Sequence, residues 1–168
     1  MNSLFKIQNW MSINEKDILL VNRTDEFLSE YIPLYAERLK WISNFSGSAG
    51  RAIIEKDKAY IFIDGRYTEQ AQKQVDTNHF EIKHLQDYWS HLEKYVKEKK
   101  NLCLDIKLHS VNEVEKLKKI FSHSDVTILF LDKNPIDIYW SDQPSYPNST
   151  AFLHDEKYSG CSSQSKIK

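Results

Sequence analysis

The sequence predicts an α/β fold, a mixed, mostly six-stranded sheet flanked by helices. Three observations carry that prediction. Six short β-prone runs alternate with stretches of helical period. Two of those runs, residues 51–55 and 59–63, are separated only by Lys56-Asp57-Lys58, so at least one pair forms an antiparallel hairpin. The clearest helix start is Ser110-Val111-Asn112-Glu113, a capping box in which the Ser hydroxyl and the Glu carboxylate each satisfy a free backbone amide.

The elements follow in order. Leu4, Ile7 and Met11 lie at helical spacing near the N-terminus and predict a first helix packed on the domain. Residues 17–21 read as a buried strand and residues 22–30 as a polar loop. Pro33 punctuates the next stretch, and residues 35–42 read as a helix. Gly and Ser dominate the loop Ser46-Gly47-Ser48-Ala49-Gly50, which suits a tight backbone path. The second hairpin strand ends in Asp64-Gly65-Arg66-Tyr67. A helix then runs to about Asp76, with Tyr67, Ala71 and Val75 on one face. Residues 79–85 alternate as a strand. Tyr88, Leu92, Tyr95 and Val96 mark another helix, and residues 102–106 another strand. After Ser110, the residues Val114, Leu117, Ile120 and Phe121 form one apolar stripe. Glu115, Lys116, Lys118 and Lys119 form its solvated face. Residues 126–131 are the last strand. Beyond Asn134 the texture changes. Pro135, Pro144 and Pro147 cluster, and the chain ends in a polar, Ser-rich stretch. The expected organisation is a globular body over residues 1–133. Residues 134–168 are expected to be a linker and the truncated start of a second domain, with a short helix near residues 136–140 able to dock on the body.

Composition narrows the function. The chain has 168 residues, about one domain, with 40% hydrophobic residues, which excludes wholesale disorder. Its 23 Lys and Arg against 24 Asp and Glu give a net charge of −1, which argues against a nucleic-acid backbone as partner. Two cysteines make no disulfide scaffold and point to a reducing cytoplasm. No apolar run approaches the about 20 residues of a membrane helix.

The common chemical motifs are missing. There is no G-x-x-x-x-G-K-[ST], no H-E-x-x-H and no G-x-S-x-G elbow. The Gly47 and Gly50 pair superficially matches a nucleic-acid G-x-x-G, but the aromatic Phe45 stands beside it and no basic run surrounds it. Six scattered histidines, among them His91, His109, His123 and His154, read as surface or loop residues. Cys103, between Leu102 and Leu104, reads as a buried, inert thiol and Cys161 as a bystander. A nucleic-acid enzyme on a ribonuclease H-like sheet would need clustered acidic residues on adjacent strands, and only Asp64 and Asp105 are obvious.

Asp64-Gly65-Arg66-Tyr67 stands apart. It lies where a strand gives way to a helix, a frequent place for functional groups in α/β sheets. Asp64 suits the start of a helix, whereas Arg66 is a cation in a first turn, which the macrodipole mildly disfavours. Two readings follow. Arg66 pairs with Asp64 or Glu69, or it presents its donor fork to a ligand oxygen or another domain.

Several motifs together resemble the N-terminal domain of Xaa-Pro aminopeptidases. They are Arg23-Thr24-Asp25-Glu26, Glu30-Tyr31-Ile32-Pro33, Tyr35-Ala36-Glu37-Arg38-Leu39, Trp41, Phe45-Ser46-Gly47-Ser48-Ala49-Gly50 and Asp64-Gly65-Arg66-Tyr67 with Gln70-Ala71. Asp76, Phe80, Asn134, Asp137, Trp140, Asp142, Pro144, Pro147, His154, Tyr158, Gly160 and Ser162 extend the likeness over nearly the whole chain. Gln143 departs from it, because the family usually has Arg before that Pro, and this weakens any role for the position.

The resemblance implies a creatinase/prolidase N-terminal domain of ribonuclease H-like architecture. It implies a parent metallopeptidase that removes an N-terminal residue preceding proline, so its substrate is a peptide with proline second. The two divalent metal ions, usually manganese, would sit in a C-terminal catalytic domain, with no cofactor in this chain. It further implies a cytoplasmic homodimer, with no nucleic-acid or membrane partner. On this likeness the domain caps the substrate site and aids assembly. Arg66 contacts the bound peptide, and Asp64, Tyr67 and Ser48 are candidate supporters. No residue here is expected to be catalytic or to bind metal. The alternative is a free-standing, non-catalytic interaction or dimerisation module from a split gene.

Overall fold

The computed structural model describes residues 2–168. Its sheet has six strands in the order β4-β3-β2-β1-β5-β6. These are β1 Ile18–Asn22, β2 Gly50–Glu55, β3 Ala59–Ile63, β4 Phe80–His84, β5 Asn101–Leu104 and β6 Thr127–Phe130. The expected hairpin is present, with Gly50 opposite Ile63 and Ile54 opposite Ala59. β2 is also antiparallel to β1, while β1 and β5, β5 and β6, and β3 and β4 pair in parallel. Five strands therefore point one way and β2 alone opposes them. The loops that leave those five strands gather at one edge of the sheet.

Helices cover both faces. They are α1 Ser3–Ile13, α2 Arg38–Ser43, α3 Thr68–Gln74, α4 Tyr88–Glu93, α5 Val111–Ile120 and α6 Pro135–Tyr139, with two short exposed turns, α7 Glu156–Ser159 and α8 Ser163–Ile167. The run of apolar residues in β1 reflects this double cover. Leu19 and Val21 join one core with Leu4, Ile7 and Met11 of α1, and Ile18 and Leu20 join the other with Leu92 of α4 and Leu117 of α5. The first helix thus packs as its period predicts. The capping box forms in full, with Ser110 Oγ accepting from the Glu113 amide and Glu113 Oε2 accepting from the Ser110 amide. Lys116, Lys118 and Lys119 are solvated as expected.

Four expectations need correction. The helix of residues 35–42 is broken at Glu37 (ψ 46°) into a 3₁₀ turn, Leu34–Ala36, and α2. The strand expected to reach residue 106 ends at Leu104, because Asp105 turns its carboxylate onto the Lys107 amide and caps a 3₁₀ turn instead of extending the ladder. His91 is a buried residue of α4, neither surface nor loop, and His109, although it lies in a loop as expected, is buried as well. Tyr60, Phe62 and Tyr95 rings surround His91, and His109 Nδ1 donates to the Asp105 carbonyl at 2.9 Å. Burial pushes the imidazole of each downward, that of His91 to about 4. Finally, Gln143 has a role. Its Nε2 donates to Asp137 Oδ1 at 2.8 Å and to the Tyr35 carbonyl at 2.9 Å.

That last contact belongs to a larger join. Asn134 caps α6, and Ile136 is fully buried in the core. Asp137 accepts Arg38 Nε and Nη2 at 2.7 and 2.9 Å, and Trp140 stacks on Trp41. The packed chain thus continues beyond residue 133, through α6.

Candidate functional site

The site lies at the sheet edge where β3 ends. Asp64 Oδ1 accepts from the Arg66 amide at 3.0 Å and caps the 3₁₀ turn Gly65–Tyr67 that leads into α3. The same oxygen accepts from Arg66 Nε at 2.9 Å. Asp64 is therefore the partner of Arg66, and Glu69 is not. One carboxylate orders the turn and sets the start of the arginine side chain. The Arg66 side chain remains 72% exposed, and its two Nη groups have no hydrogen-bond partner among the described residues. Its guanidinium carbon lies 5.6 Å from the centre of the Tyr67 ring. Arg66 holds the Asp64 carboxyl below its ordinary range, and Asp64 in turn raises the guanidinium.

Gly65 sits in this turn against His84. A Cβ there would meet His84 Nε2 at 3.2 Å. On the neighbouring loop, a Cβ on Gly47 would fall 2.2 Å from Phe45 Cζ. The loop backbone therefore lies directly on the Phe45 ring, and only glycine allows that approach. Phe45 also meets the Tyr67 ring edge-on, at 5.9 Å.

The loop and the turn are joined. Ser48 Oγ and Tyr67 Oη are 2.5 Å apart. This hydrogen bond lowers the Tyr67 hydroxyl below its ordinary range. All four residues singled out from the sequence, Ser48, Asp64, Arg66 and Tyr67, are thus brought together.

Sequence reasoning assigned no role to three residues that fix this loop. Ser46 receives Gln70 Nε2 at 3.0 Å and Gln74 Nε2 at 2.9 Å, while its amide donates to Gln74 Oε1 at 2.9 Å. Arg23 Nη1 donates to the Ser48 carbonyl at 3.2 Å. The spacing of Gln70 and Gln74, one helical turn apart, is the signal that was available.

Beside the loop is a polar cleft of about 370 Å³, lined by Arg23, Glu30, Ser48, Arg51, Ser110 and Glu113 among others. Arg51 and Glu113 pair across it. Burial alone would raise the Glu113 carboxyl, but Arg51 and the Ser110 amide outweigh it and hold it down.

The chemistry on offer is that of binding. A fixed guanidinium with free Nη donors matches a carbonyl or carboxylate oxygen. Cys103 is fully buried, and burial pushes its thiol up to about 11, so it is a poor nucleophile. Among the described residues, no three His, Cys, Asp or Glu side chains are grouped so as to hold a metal ion, so none of them fits a dinuclear metal centre. No helix among the described residues is long and apolar enough to cross a membrane.

Comparison with known proteins agrees with the fold. Residues 4–132 match the family model of the creatinase/prolidase N-terminal domain. A protein of Coprinopsis cinerea named "Probable Xaa-Pro aminopeptidase P" is 34% identical over 170 residues, covering 98% of this chain but 27% of its own length. This chain thus spans about a quarter of that relative. The X-prolyl aminopeptidase of Caenorhabditis elegans, described as a cytosolic enzyme with a di-nuclear active site, superposes with a TM-score of 0.84 at 22% identity, over 98% of this chain and 29% of that one. The N-terminal domain of the peptidase PepQ from Mycobacterium tuberculosis superposes with a TM-score of 0.63 at 16% identity, over 81% of this chain and 96% of that one.

Proposed function

This chain belongs to the creatinase/prolidase N-terminal domain family, and on that premise we propose that it serves as the substrate-capping and assembly domain of an Xaa-Pro aminopeptidase. The activity is hydrolysis of the bond between a first residue and a following proline. Its dinuclear metal centre, with manganese as the expected ion, lies in the catalytic part of the enzyme, outside the quarter that this chain matches. Those metals would activate a water and polarise the scissile carbonyl.

The observation that carries this reading is the state of Arg66, oriented through Nε and presenting both Nη groups outward at the strand-end edge. We assign it to a peptide oxygen. Asp64 sets its direction, the Tyr67 ring lies beneath its guanidinium, and Ser48 holds Tyr67. The domain is expected to act in a cytoplasmic homodimer of the parent enzyme.

The test uses the Coprinopsis cinerea relative with its matched quarter replaced by this chain. The chain alone, given manganese, should not cleave Arg-Pro-Pro, and the joined protein should. Cleavage by the chain alone would falsify the division of labour. Within the active joined protein, Arg66→Ala should lower kcat/KM by about tenfold, which is about 1.4 kcal/mol of transition-state binding. Unchanged kinetics would reduce Arg66 to a partner of Asp64.

A second reading, a free-standing interaction or dimerisation module, is favoured by one observation. The PepQ N-terminal domain is a solved chain made almost wholly of this fold. A joined protein that shows no cleavage, together with self-association of the isolated chain, would favour that reading.

A further inference from the structure

β1 and β5 lie side by side and parallel, yet the chain leaves them in opposite directions. From β1 it runs through α2 to β2 on one side, and from β5 through α5 to β6 on the other. Such a parting opens a crevice at the carboxyl ends of the two strands, which is where α/β sheets bind their ligands. Here the crevice is the polar cleft of about 370 Å³ beside the Gly47–Gly50 loop. Asn22, the last residue of β1, lines it, and so do Leu108 and Ser110 from the connection that follows β5. Its size suits a small molecule.

Three buried polar atoms around this crevice have no hydrogen-bond partner in the protein, although such atoms nearly always have one. Asn22 is 5% exposed, and its Nδ2 donates to the Leu108 carbonyl at 3.2 Å. A carbonyl only accepts, so the amide oxygen is the free atom, an acceptor without a donor. His109 stands between Leu108 and Ser110 and is 8% exposed. Its Nδ1 donates to the Asp105 carbonyl, which leaves Nε2 of the neutral ring as a second bare acceptor. Arg23 is the converse. Its Nη groups are taken by the Glu30 and Ser48 carbonyls and by Glu37, and its Nε is a donor without an acceptor.

The charges around the cleft balance. Arg23 and Arg51 line it together with Glu30 and Glu113. Arg51 pairs with Glu113 and Arg23 with Glu37, whereas the exposed Glu30 carboxylate has no ion pair among the described residues. A lone anion would meet carboxylates here and a lone cation would meet guanidinium groups. A molecule that carries both charges suits both. Asn22 and Arg23 are also consecutive, so the free acceptor and the free donor come from neighbouring residues. The ammonium and carboxylate of an α-amino acid are set equally close, on one carbon.

We propose that this cleft is a binding site for a free α-amino acid. Its ammonium group is directed to Asn22 Oδ1, His109 Nε2 and the Glu30 carboxylate, and its carboxylate to Arg23 Nε. The site does not rest on the assignment of Arg66. The two meet only at Ser48, which lines the cleft and bonds Tyr67.

Nuclear magnetic resonance of the ¹⁵N-labelled chain, titrated with L-alanine, tests this. The Asn22 side-chain amide and the His109 ring nitrogens should shift saturably, with a dissociation constant of about 1 mM, ordinary for so small a ligand. N-acetyl-alanine lacks the ammonium group and alanine amide lacks the carboxylate, and each should bind about tenfold more weakly. Glu30→Gln, at an exposed position, should weaken L-alanine about threefold, and His109→Phe about tenfold. If His109→Phe does not fold, Glu30→Gln decides alone. Arg66→Ala should bind as the wild type does. No saturable shift up to about 50 mM overturns the proposal and leaves the three atoms to water. Equal binding of the acetylated or amidated compound also overturns it, as does unchanged affinity in the cleft variants. Loss of binding in Arg66→Ala would move the ligand to the Arg66 turn and overturn it as well.

Discussion

Two arginine–aspartate pairs sit in this fold under opposite conditions. Arg38 binds Asp137 through Nε and Nη2, at 2.7 and 2.9 Å, across 99 residues of chain, with its side chain 8% exposed. Arg66 binds Asp64 through Nε alone, at 2.9 Å, across two residues, with its side chain 72% exposed. The first pair is satisfied on both carboxylate oxygens and fastens α6 to α2. The second orders one turn and leaves most of its donors facing water. The same two side chains therefore do structural work in one place and are free to recognise something in the other. Burial and sequence separation decide which, not residue type.

The comparison is broken most easily at Arg38. Arg38→Ala strands Asp137 beside a buried gap and should destabilise the chain by about 3 kcal/mol, measured by urea unfolding. The Asp137 side chain is 32% exposed, which places the effect at the lower end for a broken buried pair. A cost under about 1 kcal/mol would make the two pairs equivalent and remove the contrast.

His91 extends the buried side of the comparison. Burial, helped by Lys94 and Lys83, holds its imidazole at about 4 against an ordinary 6.5. The unfolded chain therefore takes up its proton first as pH falls. Stability contributed by neutral His91 is present above about pH 6.5 and is lost on the way down to pH 4. Between pH 7 and 5 the loss should be about 2 kcal/mol. His91→Phe should flatten that limb of the stability curve, and an unchanged limb would place the acid sensitivity elsewhere.

The two pairs were not equally legible in the sequence. Arg66 could be found because its position breaks a local rule, a cation in the first turn after a strand, and such conflicts are visible within a few residues. Arg38 sits unremarkably in a helical run, and its partner lies in a stretch whose prolines read as a linker. Nothing local announces a contact across 99 residues. The same limit explains His91, whose cage of Tyr60, Phe62 and Tyr95 is drawn from one strand, β3, and the 3₁₀ turn that follows α4. By contrast the sheet, the hairpin and the α5 capping box rest on period and near-neighbour chemistry, and these were readable directly. The candidate site falls between. Its turn was legible, while its attachment to the Gly47–Gly50 loop through Ser48, Gln70 and Gln74 needed the fold.

On the exposed side, Arg66→Ala should leave the urea unfolding midpoint essentially unchanged, because an exposed short-range pair contributes little. A larger loss of stability would make Arg66 structural after all, and any kinetic effect of the variant would then say nothing about binding.

The smallest effect sharpens what orients Arg66. Tyr67 offers two things, a ring beneath the guanidinium and a hydroxyl bonded to Ser48. Tyr67→Phe removes only the hydroxyl. Ser48 is exposed, so water replaces the lost partner and the urea unfolding midpoint should not move. Tyr67→Leu removes the ring as well. If the ring is what keeps Arg66 aimed outward, kcat/KM in the joined enzyme should be nearly unchanged in the Phe variant and fall in the Leu variant. If the Ser48 clip matters more, the Phe variant should fall by itself and Ser48→Ala should match it. Equal, wild-type kinetics in all three variants would leave Asp64 as the sole residue orienting Arg66.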